Sequence, residues 1–325
     1  MTVTIKDIAK AANVSYSTVS KALNDSPLVK TGTKRVIVEK AKELGYTPNF
    51  SAKHLVTRRS NTIGLVWPTI ERAALSELVT HVNKQISKNG RSMILSINDA
   101  LEAVELFSRM RIDGILLFEE DIAQDELPNN LGIPLLSYGV PGINQFPTLG
   151  VQHELAMELA VNELVEKGHR EIVYVGIHNG IGRRQQAKQA GFEQAMKERG
   201  FGSKIVNTGG LNAGDAEHAV TQFLDSEGTP EAIICSSYDL TIGTLRALKR
   251  HQLSIPNDVS VISYDNIPQL KETEVPVTSV GVPIDALACA LVEMLIDLIE
   301  KGEENVENRK LSPVLVKRKS VKIRN

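Results

Sequence analysis

TIKDIAKAANVSYSTVSKALN, residues 4–24, decides how the chain begins to fold. It reads as two short helices joined by a tight turn. Thr4 caps the first helix, and Asp7 completes a capping-box pattern. Ile8, Ala9 and Ala12 give that helix an apolar side. Asn13 tolerates left-handed backbone and marks the turn. Val14 fills the angle between the helices. Ser15 is the N-cap of the second helix, where Val19 and Leu23 fall on one face. Downstream, residues 31–44 read as a third helix capped by Thr31 or Thr33. Ile37, Ala41 and Leu44 line it, and Gly45 ends it. The expected product is a small all-α head with a core of Ile8, Val19, Leu23, Ile37 and Leu44.

The outer face of the second helix opens with Ser15, Tyr16, Ser17 and Thr18 and carries Lys21 one turn later. Small hydroxyls let a helix approach a polar surface closely, and a helix N-terminus favours phosphate. Docked N-terminus first into a major groove, this helix would bring Tyr16, Ser17 and Lys21 to base edges. Thr4, Ser15, Thr18 and Asn24 would position the backbone. A solvated Ser/Thr-rich helix is the plainer alternative, and charge helps to choose. The 325-residue chain carries −2 overall, but residues 1–60 hold eleven Lys/Arg against four Asp/Glu, +7. The remainder holds 26 against 35, −9. A basic head on an acidic body is the electrostatic footprint of a DNA-binding head.

Together with GYTPN at 45–49 and AKHL at 52–55, the opening stretch resembles the helix-turn-helix of the lactose-repressor (LacI/GalR) family of bacterial transcription regulators. The resemblance continues more loosely over nearly the whole chain. It implies a head at 1–46, a hinge helix and linker at 47–60, and an effector-binding, dimerising body at 61–325. Within the hinge, it implies that Leu55 wedges into the minor groove, where unstacking costs a few kcal/mol and a bent duplex offsets it. A repressor that binds a near-palindromic operator as a homodimer follows from the same resemblance.

After Asn61 the texture changes to short apolar strands alternating with amphipathic stretches, the pattern of doubly wound parallel α/β sheets. Eight strands are expected, at 62–67, 92–97, 114–118, 134–137, 171–176, 204–207, 232–236 and 259–264. The resemblance arranges them as a two-lobed, periplasmic-binding-protein-like body whose chain crosses between lobes near Leu149, Val280 and Lys310. The N-lobe would take about 61–149 and 281–309, the C-lobe about 150–280 and 310–325. Cys235 and Cys289 imply no disulfide framework and fit a reducing cytoplasm. No apolar run is long enough for a membrane helix, and MTVTIKD is not a signal peptide.

Ligands of open α/β sheets bind at the carboxyl ends of the strands. Trp67, Tyr238, Asp239 and Asp265 fall at such ends, and Lys188 opens a helix. VSVISYDNIP at 259–268 resembles the family's strand-and-Asp motif, which puts Asp265 on a sugar hydroxyl or base. Lys188 in KQAGF stands where the family usually has a clamping Arg, and a point charge replaces a fork there. The family's Asn-Pro-Phe-Phe is Arg72-Ala73-Ala74-Leu75, so Trp67 or Tyr238 is expected to supply the stacking face. With Arg183 and Arg184 nearby, a polyhydroxylated or anionic metabolite is the expected effector. No enzyme chemistry stands out: GIHNGIG at 176–182 is not a dinucleotide or Walker motif, no H-x-x-x-H occurs, and no cofactor, metal or catalytic set is expected. A solute-binding module or sensor without operator specificity is the alternative, disfavoured by the basic head.

Overall fold

In the computed structural model, residues 3–23, 26–46, 59–118, 127, 131–141, 145–178 and 182–324 are described. Asn24, Leu55 and the rest of 47–58 in the expected hinge lie outside them. The chain divides into two compact units, Met1–Ser60 and Asn61–Asn325.

The first unit holds α1 (Ile5–Ala11), α2 (Tyr16–Leu23) and α3 (Thr31–Glu43). Asn13 makes the turn with φ 51°. Thr4 donates both its N–H and its hydroxyl to Asp7 Oδ2, at 2.8 and 2.7 Å, at the start of α1. The core is Ile8, Val19, Ala22, Ile37 and Ala41, with Leu23 packed at its edge. Leu44, expected inside, is 39% exposed: it is the C-cap of α3, where the helix stops presenting its apolar face. Neither Thr31 nor Thr33 caps α3; the N-cap is Lys30, without a side-chain cap bond. At the other end Gly45 has φ +68°, its N–H donates to Lys42, and the Tyr46 N–H donates to Ala41. That pair of bonds is a Schellman cap, which needs a residue tolerant of left-handed backbone.

The second unit is two sheets flanked by helices. Its N-lobe sheet has the order β11-β5-β4-β3-β1-β2, all parallel. These strands are β1 (Thr62–Val66), β2 (Ser92–Ser96), β3 (Gly114–Phe118), β4 (Leu135–Tyr138), β5 (Thr148–Val151) and β11 (Arg309–Leu311). The C-lobe sheet runs β12-β10-β9-β8-β6-β7. It contains β6 (Ile172–Gly176), β7 (Lys204–Asn207), β8 (Ala232–Cys235), β9 (Ser260–Asn266), β10 (Thr278–Pro283) and β12 (Val314–Val316). Its edge strand β12 is antiparallel to β10, a departure from the all-parallel expectation.

Strand alternation sends side chains to two opposite helix layers in each lobe. Ile63, Leu65, Leu116 and Leu136 meet α4 (Ala73–Lys88) and α10 (Ile284–Lys301), while Val66, Ile115 and Leu117 meet α5 (Ala100–Met110). In the C-lobe, Val173, Val175 and Ile233 meet α8 (Ala213–Glu227) and α9 (Tyr238–Arg250). Ile172, Tyr174 and Ile234 meet α6 (His153–Glu166) and α7 (Arg183–Glu198). The chain passes between lobes at 151–153, 283–284 and 311–314, just beyond Leu149, Val280 and Lys310. The four strands not expected from the sequence, β5, β10, β11 and β12, all flank these passages.

Candidate functional site

Two surfaces gather the residues singled out from the sequence. On the head, Val19 and Ala22 turn inward, which leaves Tyr16, Ser17 and Lys21 exposed on the other side of α2, with Tyr16 at 55%. Ser15 Oγ accepts the Thr18 N–H at 3.1 Å, which caps α2. It also lies 2.8 Å from the hydroxyls of Ser17 and Thr18. Three hydroxyls are thus clustered at the helix N-terminus, where free N–H groups and the helix dipole attract anions. The Asp7 carboxyl is held below its usual range by the hydroxyl and amide of Thr4.

In the body, the carboxyl ends of both sheets face one another across a cleft. The N-lobe presents rings. Trp67 follows β1, Phe118 ends β3 and Tyr138 ends β4. Trp67 and Phe118 lie 4.6 Å apart by centroid, and Phe118 and Tyr138 5.4 Å apart, edge to face. Trp67 is 1% exposed, so it builds the floor behind the other two rings rather than offering an open stacking face.

The C-lobe presents charges. Arg184, in the first turn of α7, places its guanidinium 3.6 Å over the Phe118 ring and 5.0 Å from that of Tyr138, so it spans the cleft. Lys188, one turn on, is 5% exposed; its ammonium donates to the Ser236 carbonyl at 2.9 Å and lies 3.7 Å over the Tyr264 ring. Both of these contacts lie within its own lobe, beside β8 and β9. Tyr264 in turn is 2.6 Å from His153 Nδ1. With the phenol donating, the imidazole carries its proton on Nε2. Burial, and then the charges of Lys188, Arg184 and Lys310, push the His153 pKa well below its ordinary value.

Asp265 sits at φ +77°, a left-handed conformation that costs a non-glycine residue about 1–3 kcal/mol and collects at functional sites. Its Oδ2 accepts the Tyr238 N–H at 2.9 Å. That contact uses the Tyr238 backbone; the half-buried ring is not part of the stack of Trp67, Phe118 and Tyr138. Asp239 accepts the Ala73 N–H at 3.4 Å from the opposite lobe. Burial raises its pKa, against the pull of that amide bond. A second cross-lobe bond runs from Gln269 to Glu77 at 3.0 Å, and Ala74 of α4 is packed into the C-lobe core. The lips of the cleft are in contact. Between them a cavity of about 50 Å³ is lined by Tyr138, Val151, Tyr264, Asp265, Asn266 and Gly281, among others. Ligand pockets run to about 300–1,000 Å³, and this cavity is smaller.

Phe118, Tyr138, Tyr264, His153 and Arg72 escaped the sequence reading. Phe118 ends an expected strand and Tyr138 follows another, so the strand-end rule that selected Trp67 could have found both. Among the described residues, no group of His, Cys, Asp and Glu is arranged for a metal, and no helix is long and apolar enough to cross a membrane.

A three-helix head with a polar recognition face, joined to a two-lobed α/β body with a cleft, defines a class of ligand-responsive DNA-binding regulators. Residues 4–49 match the bacterial regulatory proteins of the lacI family, and residues 161–321 match a periplasmic binding protein-like domain. The probable HTH-type transcriptional repressor ExuR of Bacillus subtilis (strain 168) is 30% identical over 316 residues, 94% of each chain. The catabolite control protein A of Priestia megaterium is 27% identical over 93% of this chain and 94% of its own. The Lac repressor dimer bound to operator and the anti-inducer ONPF superposes with a TM-score of 0.86 at 24% identity, covering 99% of this chain and 100% of that one. A LacI family regulator from Enterococcus faecium with bound ribose gives 0.73 at 23% identity, covering 81% and 100%. This chain belongs to the LacI family of bacterial transcription regulators. Its relatives are repressors and regulators, and it is a regulator rather than an enzyme.

Proposed function

We propose that the chain is a homodimeric, cytoplasmic repressor that binds a near-palindromic operator and answers to a sugar or sugar derivative in the interlobe cleft. The observation that carries this reading is the polar face of α2. Tyr16, Ser17 and Lys21 are exposed there over a packed head core. Each head would read one half-site, with Tyr16, Ser17 and Lys21 on base edges and Thr4, Ser15, Thr18 and Asn24 on the backbone. Residues 1–46 would form the head, 47–60 the hinge with Leu55 as a minor-groove wedge, and 61–325 the effector and dimerisation body. Two-fold symmetry of the dimer imposes palindromy on the site.

Control follows from differential affinity. A ligand that favours one lobe arrangement shifts the population toward it. A changed lobe angle alters the separation of the two hinge segments, and so their fit to one duplex. The lobe contacts Asp239–Ala73 and Glu77–Gln269 are the ones such a ligand would remake. The crystallised relatives that hold an operator with an anti-inducer, or ribose, support the same division of labour.

Selection of duplexes from a random pool by the full-length protein, with and without a metabolite extract, tests the proposal. Enrichment of a palindrome with a flexible central step, changed by extract, is the expected result. A pool that stays random under both conditions would overturn operator specificity.

A further inference from the structure

The chain enters the body at a corner held by a buried ion pair. Asn61, the first residue of the body, has φ +51°. A non-glycine residue keeps such a left-handed backbone only where its surroundings hold it there. The Asn61 N–H donates to Asp113 Oδ2 at 3.0 Å, and its carbonyl accepts the Ser92 N–H at 2.8 Å. The next carbonyl, that of Thr62, accepts the Asp113 N–H at 2.9 Å. The entering chain is thus tied on one side to the start of β2 and on the other to the start of β3.

Asp113 is itself fixed by charge. The Arg91 guanidinium donates to the same Oδ2 at 2.7 Å, and the two side chains are only 7% and 6% exposed. The second terminal nitrogen of Arg91 lies 3.5 Å from Glu300, in the last turn of α10. Charge-assisted bonds of this kind are shorter and stronger than neutral ones. β1 begins at Thr62, so an ion pair that grips the residue before it does not start the strand. It fixes the direction from which the chain arrives.

On the reading of the chain as a dimeric operator binder, we propose that Asp113 and Arg91 are positioning residues for operator reading. By locking Asn61 they set the direction in which each linker leaves the body, and so the half-site spacing that a dimer accepts. Two heads on one dimer bind as linked modules, and linkage helps only where both can engage together. A locked root concentrates the heads at one spacing, whereas a freed root spreads them over several.

The test is binding of the full-length protein to its selected duplex and to versions with one or two base pairs inserted between the half-sites, with a shuffled duplex as the non-specific control. The wild type should bind the selected spacing best and weaken with each insertion. Asp113→Ala should weaken the selected duplex about 10-fold, the scale of freeing one backbone residue. It should also flatten the dependence on spacing and leave the shuffled duplex unchanged. Asp113→Asn, which keeps an acceptor for the Asn61 amide, should fall between the two, and Arg91→Lys, which keeps the charge, should stay nearest the wild type. Removing one member of a buried pair is costly, so each variant is measured below its own unfolding midpoint. Should Asp113→Ala not fold, Asp113→Asn and Arg91→Gln carry the same comparison. Folded variants with a lowered midpoint but a spacing profile as steep as that of the wild type would overturn the proposal, because a merely structural role predicts that. Equal losses on the selected and shuffled duplexes would overturn it too. A wild type that does not distinguish those duplexes would remove the operator reading itself.

Discussion

The two lobes are built from the same six-stranded plan, yet they bring different chemistry to the cleft. The N-lobe ends its strands in Trp67, Phe118 and Tyr138, which are held by packing. The C-lobe ends its strands and begins its helices in Arg184, Lys188, Tyr238, Asp239 and Asp265, which are held by hydrogen bonds and by each other's charge. One wall is mainly aromatic; the other is mainly polar and charged. If the cleft is the effector site as proposed, the rings would act as a fixed jaw that orients the ligand and the charges as a selective jaw that identifies it.

The fixed jaw should respond to mutation mainly through stability. Trp67→Ala removes a fully buried indole from the aromatic cluster and should cost about 3–5 kcal/mol in urea unfolding. A cost below about 1 kcal/mol would mean that the floor is not packed as described. The next effect belongs to the selective jaw. Lys188→Met should cost about 1–3 kcal/mol, because the Ser236 carbonyl loses its donor and Tyr264 its cation. Unchanged stability with lost ligand affinity would show that Lys188 serves the ligand rather than the fold.

The smallest effect is one of pH. His153 is held neutral in the folded protein, with its pKa below 6.5, by burial and neighbouring cations. Its contribution is therefore intact above the unfolded value and is lost as pH falls through 6.5 toward the folded pKa, because the unfolded chain binds the extra proton. The urea midpoint of the wild type should drop on acidification below pH 6.5 more steeply than that of His153→Gln. Parallel curves would show that the ring is not the titrating group.

The fold was legible where periodicity is local. The head helices and eight of the strands show up as apolar spacing within a few residues. β5, β10, β11 and β12 did not; β11 and β12 span only three residues each, and β11 is paired far along the chain. Arg309 pairs with Leu149, for instance, and a three-residue strand has no period of its own. Leu44 was misplaced because a helical stripe says nothing about the turn at which the helix stops. In the cleft, the strand-end rule reached Trp67, Tyr238, Asp239 and Asp265. The clamp at Lys188 came from the resemblance; its side chain meets Ser236 and Tyr264, and nothing in the spacing showed that Arg184 would cross to Phe118. Such contacts join separate lobes, and only the assembled sheets bring them together.

The most direct single measurement is the affinity of the full-length protein for its selected duplex against a shuffled duplex of the same composition, at physiological salt. Specific sites are typically bound about 10³- to 10⁷-fold tighter than non-specific DNA. A ratio in that range that collapses in Tyr16→Ala is expected. Equal binding of both duplexes by the wild-type protein would contradict operator reading by α2.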